Sequence, residues 1–145
     1  MASPPPGASP NNEGAYVMSK VLVVDDSRTI RTIIRRILIE LGCEVCEAGN
    51  GVEALKVIEV EKDNVKLVLA DWNMPEMNGL ELLVRLRQDP AFASLKIVMV
   101  TTETEMDHMA SALEAGADEY VMKPFTKDIL VEKLDFIGFS PMARA

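Results

Sequence analysis

Five polar residues stand directly after short apolar runs in this chain. Asp25 and Asp26 follow Val21-Leu22-Val23-Val24, and Asp71 follows Leu67-Val68-Leu69-Ala70. Thr101, with Thr102 behind it, follows Ile97-Val98-Met99-Val100, and Lys123 follows Glu119 to Met122. If those runs are parallel strands, all these residues reach one edge of the sheet, the carboxyl edge at which open α/β sheets place their sites. Carboxylates gathered there repel one another and raise each other's pKa unless a cation intervenes. Donor sets made only of oxygen suit a hard ion, and Mg²⁺ (or Mn²⁺) takes one or two carboxylates with waters and phosphate oxygens. A carboxylate beside such an ion and a lysine can act as a nucleophile and form an aspartyl phosphate. Phosphoryl transfer asks chiefly for positioning and neutralised charge, which this set supplies. The acid pair alone is a weaker sign, since Asp26 could equally cap the helix that starts at Ser27.

The elements that must hold these residues alternate. After the first strand, Ser27 to Leu41 reads as a helix, with Ile30, Ile33, Ile34, Ile37, Leu38 and Leu41 recurring at three and four and Gly42 ending it. Cys43 to Ala48 reads as the second strand, closed by Asn50-Gly51, and Val52 to Val60 as the second helix. The run Leu67–Ala70 is the third strand and Leu80 to Gln88 the third helix. Ile97–Val100 is the fourth strand, and Glu105 to Ala115 the fourth helix, stopped at Gly116. Glu119 to Met122 is the fifth strand and Lys127 to Ile137 the fifth helix. Strand–helix alternation implies right-handed crossovers and a parallel sheet covered on both faces. The expected fold is therefore α/β, a flavodoxin-like doubly wound sheet of five parallel strands in the order 2-1-3-4-5, with five helices.

Composition narrows the class of function. A chain of 145 residues is most simply one domain, and 48% hydrophobic residues suits a globular core. The net charge of −8 argues against a nucleic-acid backbone as partner. No apolar run reaches the roughly 18 residues of a membrane span, and the N-terminus lacks the pattern of a signal peptide. Two cysteines without an export signal fit a reducing compartment, so the expected location is the cytoplasm. Residues 1–17, with three consecutive prolines at Pro4 to Pro6, read as a disordered tail. Residues 18–137 read as the domain, and 138–145 as a C-terminal tail. Met18 is an alternative natural start.

Other features are set aside. No GxGxxG follows the first strand and no GxxxxGK[ST] occurs, so nucleotide cradles are disfavoured. His108 is the only histidine, which excludes a zinc cluster or a Ser/Cys triad; it reads as a solvated surface residue. Cys43-Glu44-Val45-Cys46 is formally a CxxC, but residues three apart on a strand face opposite sides of the sheet.

The strings Val23-Val24-Asp25-Asp26-Ser27, Asp71-Trp72-Asn73-Met74-Pro75, Val100-Thr101-Thr102 and Lys123-Pro124-Phe125 resemble those of two-component response-regulator receiver domains. The likeness runs from about Met18 to Ile137 and is greatest to the single-domain chemotaxis regulators. It implies that Asp71 accepts a phosphoryl group from a sensor histidine kinase or a small donor such as acetyl phosphate. It implies a metal site of Asp26, Asp71 and the backbone carbonyl of Asn73, with Asp25 acting through water. Lys123 would pair with Asp71 and then the phosphoryl oxygens, beside a cis bond to Pro124. Thr101 and Thr102 would bind the phosphoryl group and shift their loop, Tyr120 would swap between outward and inward rotamers, and Asn73 and Glu103 would tune dephosphorylation.

The output face implied by the resemblance comprises the fourth helix, fifth strand and fifth helix, with Met106, Met109, Leu113, Tyr120 and Lys133. A Met/Leu stripe at this spacing is either core or an adaptable binding surface. Where the chemotaxis regulators carry a lysine pair, this chain has Glu105-Met106, which puts binding to a flagellar-motor switch in question and leaves another chemotaxis component as the alternative partner. Two other functions fit parts of the pattern. A haloacid-dehalogenase-type phosphatase would need an acid two residues after its nucleophile, where Asn73 stands. A phosphate-independent scaffold would lack one of the site residues, and a fragment of a larger regulator would differ only outside this chain.

Overall fold

A computed structural model describes residues 16–144; the reading of the first fifteen residues as a tail lies outside them. The described elements run β1 (Tyr16–Met18), β2 (Lys20–Val24), α1 (Arg28–Glu40), β3 (Glu44–Ala48), α2 (Gly51–Glu61), β4 (Val65–Asp71) and α3 (Gly79–Arg87), followed by β5 (Lys96–Thr101), a 3₁₀ segment (Glu103–His108), α4 (Met109–Glu114), β6 (Glu119–Met122), α5 (Lys127–Phe136) and β7 (Met142–Arg144). The main sheet has the order β3-β2-β4-β5-β6, with every neighbouring pair parallel. Counting only these strands, that is the expected 2-1-3-4-5.

Side chains that alternate along each strand divide the core into two layers. Leu22, Val24, Val68, Ala70, Ile97 and Met99 pack under α2, α3 and α4, meeting Ile58, Leu82, Leu86 and Met109. Val21, Val23, Leu67, Leu69, Val98 and Val100 face the other way and meet Ile34 and Leu38 of α1 and Leu130 and Leu134 of α5. Because both faces are covered, the strands could be near-continuous apolar runs. The two cysteines follow the same division, Cys43 in one layer and Cys46 against the other, and both are free thiols.

Helix starts are set by side-chain caps. The Ser27 hydroxyl accepts the amide of Ile30 at 3.3 Å, so the cap of α1 is Ser27 and Asp26 is not needed for that task. Asn78 and Glu81 form a reciprocal capping box at α3, fixing the helix that follows the Asp71 loop.

Three differences from the sequence pattern stand out. The expected fourth helix is split, its first half a 3₁₀ segment, because the amide of Glu105 bonds to the carbonyl three residues back at Thr102. Ile33, placed among the periodic apolar residues of α1, is 49% exposed, since the helix buries only a narrow stripe around Ile34 and Leu38. Finally, β1 and β7 pair antiparallel, with Met18 opposite Met142, joining segments that read as tails. The Ser19 amide donates to the Pro141 carbonyl at 2.8 Å beside this ribbon, and Phe139 is buried in the core.

Candidate functional site

The ends of β2, β4, β5 and β6 bring the expected residues together. One carboxylate oxygen from each of Asp25, Asp26 and Asp71 can be chosen so that all lie within 4.8 Å of one another. Asp25 and Asp71 are buried, and Asp26 faces solvent. Asp25 is tied down on two sides: its Oδ1 accepts the Ser27 amide at 2.8 Å, and its backbone carbonyl accepts from the Arg31 guanidinium at 2.6 Å. Arg31 is aimed in turn by Glu47, whose Oε1 lies 3.0 Å from Nε. Burial pushes the Glu47 carboxyl up, but hydrogen bonds from Arg35 and Arg31 outweigh it and hold its pKa below the usual value.

Lys123 closes the site. Its Nζ lies 3.2 Å from Asp25 Oδ2 and 3.2 Å from Asp71 Oδ1, so one ammonium bridges both buried carboxylates. Burial would lower its pKa, yet the charges of Asp71 and Asp25 outweigh burial and raise it. Asp71 goes the opposite way from a simple ion-paired carboxylate. Burial, and then the charge of Asp25, push it up to about 6 despite Lys123. The site thus holds more negative charge than one lysine neutralises. Three hard oxygen donors of this kind could hold Mg²⁺ or Mn²⁺. The Lys123-Pro124 peptide is cis.

Thr101 is fully buried at the end of β5, and its hydroxyl donates to the Thr102 carbonyl at 3.2 Å. Asn73 and Glu103 are exposed. Tyr120 is half-buried on β6, with Lys133 Nζ lying 4.7 Å from its ring centroid and 3.7 Å from Glu119.

The expected output stripe needs correction. Met109 is only 3% exposed and belongs to the core beneath the sheet, so it presents no surface. Met106 is half-buried against the same layer, and Leu113 is 42% exposed. Three residues at helical spacing share a side only along a regular helix. Here Met106 lies in the 3₁₀ segment, out of helical register with Met109, and within α4 the buried stripe runs through Met109 and Ala112 and leaves Leu113 at its edge.

Several residues that shape the site were not singled out in the sequence. Arg31 and Glu47 carry no motif, although an arginine one turn after the Ser27 cap was available as a hint. A Cβ on Gly79 would collide with the Asp71 carbonyl and would approach the Met99 methyl to 2.6 Å, so the start of α3 can lie against the site loop only as glycine. Glu105 bonds Thr102, and His108 stacks on Trp72, with ring centroids 5.3 Å apart. His108 is exposed, as expected of a surface residue, and its stacking on Trp72 is the part the sequence did not show.

Acids, hydroxyl and ammonium converge at the carboxyl edge of the sheet with no phosphate-binding glycine loop, and this is the architecture of a signalling receiver domain. Residues 21–135 match the family model described as response regulator receiver domain, and the chain belongs to that family. It is 47% identical over 119 residues to chemotaxis protein CheY1 of Helicobacter pylori, an alignment covering 81% of this chain and 95% of that protein. It is 48% identical over 117 residues to a chemotaxis protein CheY homolog of Campylobacter jejuni, covering 80% of this chain and 89% of the relative. Among solved structures, Vibrio cholerae chemotaxis protein CheY4 superimposes with a TM-score of 0.76 at 34% identity, covering 83% of this chain and 99% of that one. Membership makes the protein a phosphorylation-activated response regulator, a switch rather than a classical enzyme. No helix among the described residues is long and apolar enough to cross a membrane.

Proposed function

We propose that this protein takes a phosphoryl group onto Asp71 in a Mg²⁺-dependent (or Mn²⁺-dependent) reaction and controls a partner protein through the surface of α4, β6 and α5. The observation that carries this reading is the Lys123 ammonium held 3.2 Å from both Asp25 and Asp71, inside a carboxylate cluster that it only partly neutralises. The donor is the phosphohistidine of a sensor histidine kinase, or a small acyl phosphate. A carboxylate oxygen of Asp71 attacks phosphorus, the bond to the donor's nitrogen or acyl oxygen breaks, and the leaving group departs with that electron pair.

Asp26, Asp71 and the carbonyl of Asn73 would hold the metal directly, with Asp25 reaching it through water. When bound, the ion would neutralise charge on the transferring group. The residues of the chain do the rest. Ser27 and Arg31 keep Asp25 in place, so the acid pair needs little reorganisation. Lys123 is positioned to follow charge from the carboxylate to the new phosphoryl oxygens. Thr101 supplies a hydroxyl, and Thr102 an adjacent polar group, once the loop turns toward Asp71. Asn73 and Glu103, exposed beside the site, would tune hydrolysis of the acyl phosphate.

Movement of Thr101 would free space for Tyr120 to turn inward, away from Lys133. That would reshape the face formed by Met106, Leu113, Tyr120 and Lys133. The likeness to chemotaxis proteins supports a role in chemotaxis, and the reading places the protein in the cytoplasm with a flagellar-motor switch or another chemotaxis component as the partner. Neither nucleic acid nor membrane is required.

Labelling with radioactive acetyl phosphate tests the reading. Wild-type protein should take up acid-stable, hydroxylamine-labile phosphate only with divalent metal, and Asp71→Asn should take up none. Labelling that survives in the Asn variant would place the acceptor elsewhere.

A further inference from the structure

The joint between β5 and the 3₁₀ segment is closed by hydrogen bonds around Thr102. The carbonyl of Thr102 accepts from the Thr101 hydroxyl at 3.2 Å and from the Glu105 amide at 3.0 Å. The Glu105 carboxylate folds back, its Oε1 accepting the Thr102 amide at 3.2 Å and the Thr102 hydroxyl at 2.9 Å. That hydroxyl also lies 2.9 Å from the hydroxyl of Thr104. The charge of Glu105 reaches the site as well, being one of the influences that raise the Asp71 pKa. One half-buried carboxylate therefore clasps the loop directly behind Thr101, whose hydroxyl is proposed to bind the phosphoryl group, and its charge is felt at Asp71.

We propose that Glu105 is a positioning residue that latches the switch in its resting geometry and is loosened by new negative charge on Asp71; this rests on the reading of Asp71 as phosphoacceptor. For the Thr101 hydroxyl to reach a phosphoryl group it must give up the Thr102 carbonyl, and the loop shift that carries it toward Asp71 displaces the peptide that Glu105 holds. Hydrogen bonds to a carboxylate are about twice as strong as neutral ones, so the clasp resists that turn. Charge added at Asp71 repels the carboxylate where it now sits, and the clasp weakens as Thr101 is drawn inward. A bond made only in the resting state lowers the population able to react, and the apparent phosphorylation rate falls by the same factor.

The test compares Glu105→Ala, Glu105→Gln and Glu105→Asp in the full chain. Initial rates with acetyl phosphate and Mg²⁺ are read by labelling, and the Thr102 amide is followed by ¹H–¹⁵N NMR. Glu105→Ala should raise the rate roughly fivefold, the worth of one net hydrogen bond. Glu105→Gln keeps the acceptor and should stay within about twofold of wild type, less than one net hydrogen bond. Glu105→Asp shortens the side chain so that it no longer reaches both the amide and the hydroxyl of Thr102, should fall between them, and carries the test if the Ala variant does not fold. In wild type, beryllofluoride with Mg²⁺ should shift the Thr102 amide toward its position in Glu105→Ala. Equal rates in all variants, equal acceleration by Ala and Gln, or an amide indifferent to beryllofluoride would each overturn the latch. Wild-type protein that takes no label would instead overturn the phosphoacceptor reading, and the latch with it.

Discussion

The indole of Trp72 stacks on the imidazole of His108, with ring centroids 5.3 Å apart and planes 8° from parallel. Trp72 is bonded to Asp71, and His108 ends the 3₁₀ segment that follows the Thr101 strand. The stack therefore links the loop after Asp71 to the 3₁₀ segment after Thr101. Trp72 emission should change on adding Mg²⁺ and again on adding beryllofluoride. His108→Leu should alter the starting intensity and shrink the second change, while leaving the Mg²⁺ midpoint within about twofold, as expected of a residue that is no ligand. A midpoint displaced much further would mean that His108 shapes the metal site itself.

Stability should depend on pH through Asp71. Its carboxyl is raised from 3.8 to about 6, by burial first and Asp25 second. Between those values the native state holds a proton that the unfolded chain has released. This group therefore favours folding at the acid end, and its contribution is lost as pH rises through about 6. In EDTA, Asp71→Asn should gain on wild type between pH 4.5 and 7.5, by on the order of 1–3 kcal/mol in urea unfolding. Millimolar Mg²⁺ should close the gap by binding only native wild type. A difference that stays flat with pH would contradict the raised pKa.

The division between core and surface in the fourth helix can be measured directly. Met109→Ala should cost roughly 2–5 kcal/mol, because it empties a filled site under the sheet. Leu113→Ala, half in solvent, should cost about 0.5 kcal/mol or less. Met106→Lys should weaken partner binding and leave labelling by acetyl phosphate nearly unchanged. Normal partner affinity in that variant would move the output surface elsewhere.

Gly79→Ala should damage the site from behind. The new methyl would press on the Asp71 carbonyl and on Met99, and neither can withdraw without shifting β4 or the core. A loss of about 1–3 kcal/mol is expected, together with weaker Mg²⁺ binding. Gly138→Ala is the comparison: it has open space around it but a φ of 76°, so it should lose stability without touching metal affinity. Equal metal affinity in all three proteins would show that the site loop does not depend on Gly79.

The sheet and the identity of the reacting residues were legible in the chain, because both depend on short-range pattern. Buried parallel strands are apolar runs, and a polar residue at the end of such a run is carried to the carboxyl edge by topology alone. Asp25, Asp26, Asp71, Thr101 and Lys123 could therefore be brought together before any distance was known. What pattern could not supply was the direction of individual side chains within irregular or distant segments. Met109 and Leu113 are four apart in α4, yet one is core and the other half-exposed, because the buried stripe of this short helix runs through Met109 and Ala112 and leaves Leu113 at its edge. The 3₁₀ stretch before α4 starts at the Thr102–Glu105 clasp, where a backbone bond and a contact of two polar side chains carry no hydrophobic signal. Arg31 reaches the Asp25 carbonyl, Gly79 abuts the Asp71 carbonyl, and Met18 pairs with Met142 only after the sheet has formed. Those relationships depend on where remote backbone comes to rest, so only the tertiary structure decided them.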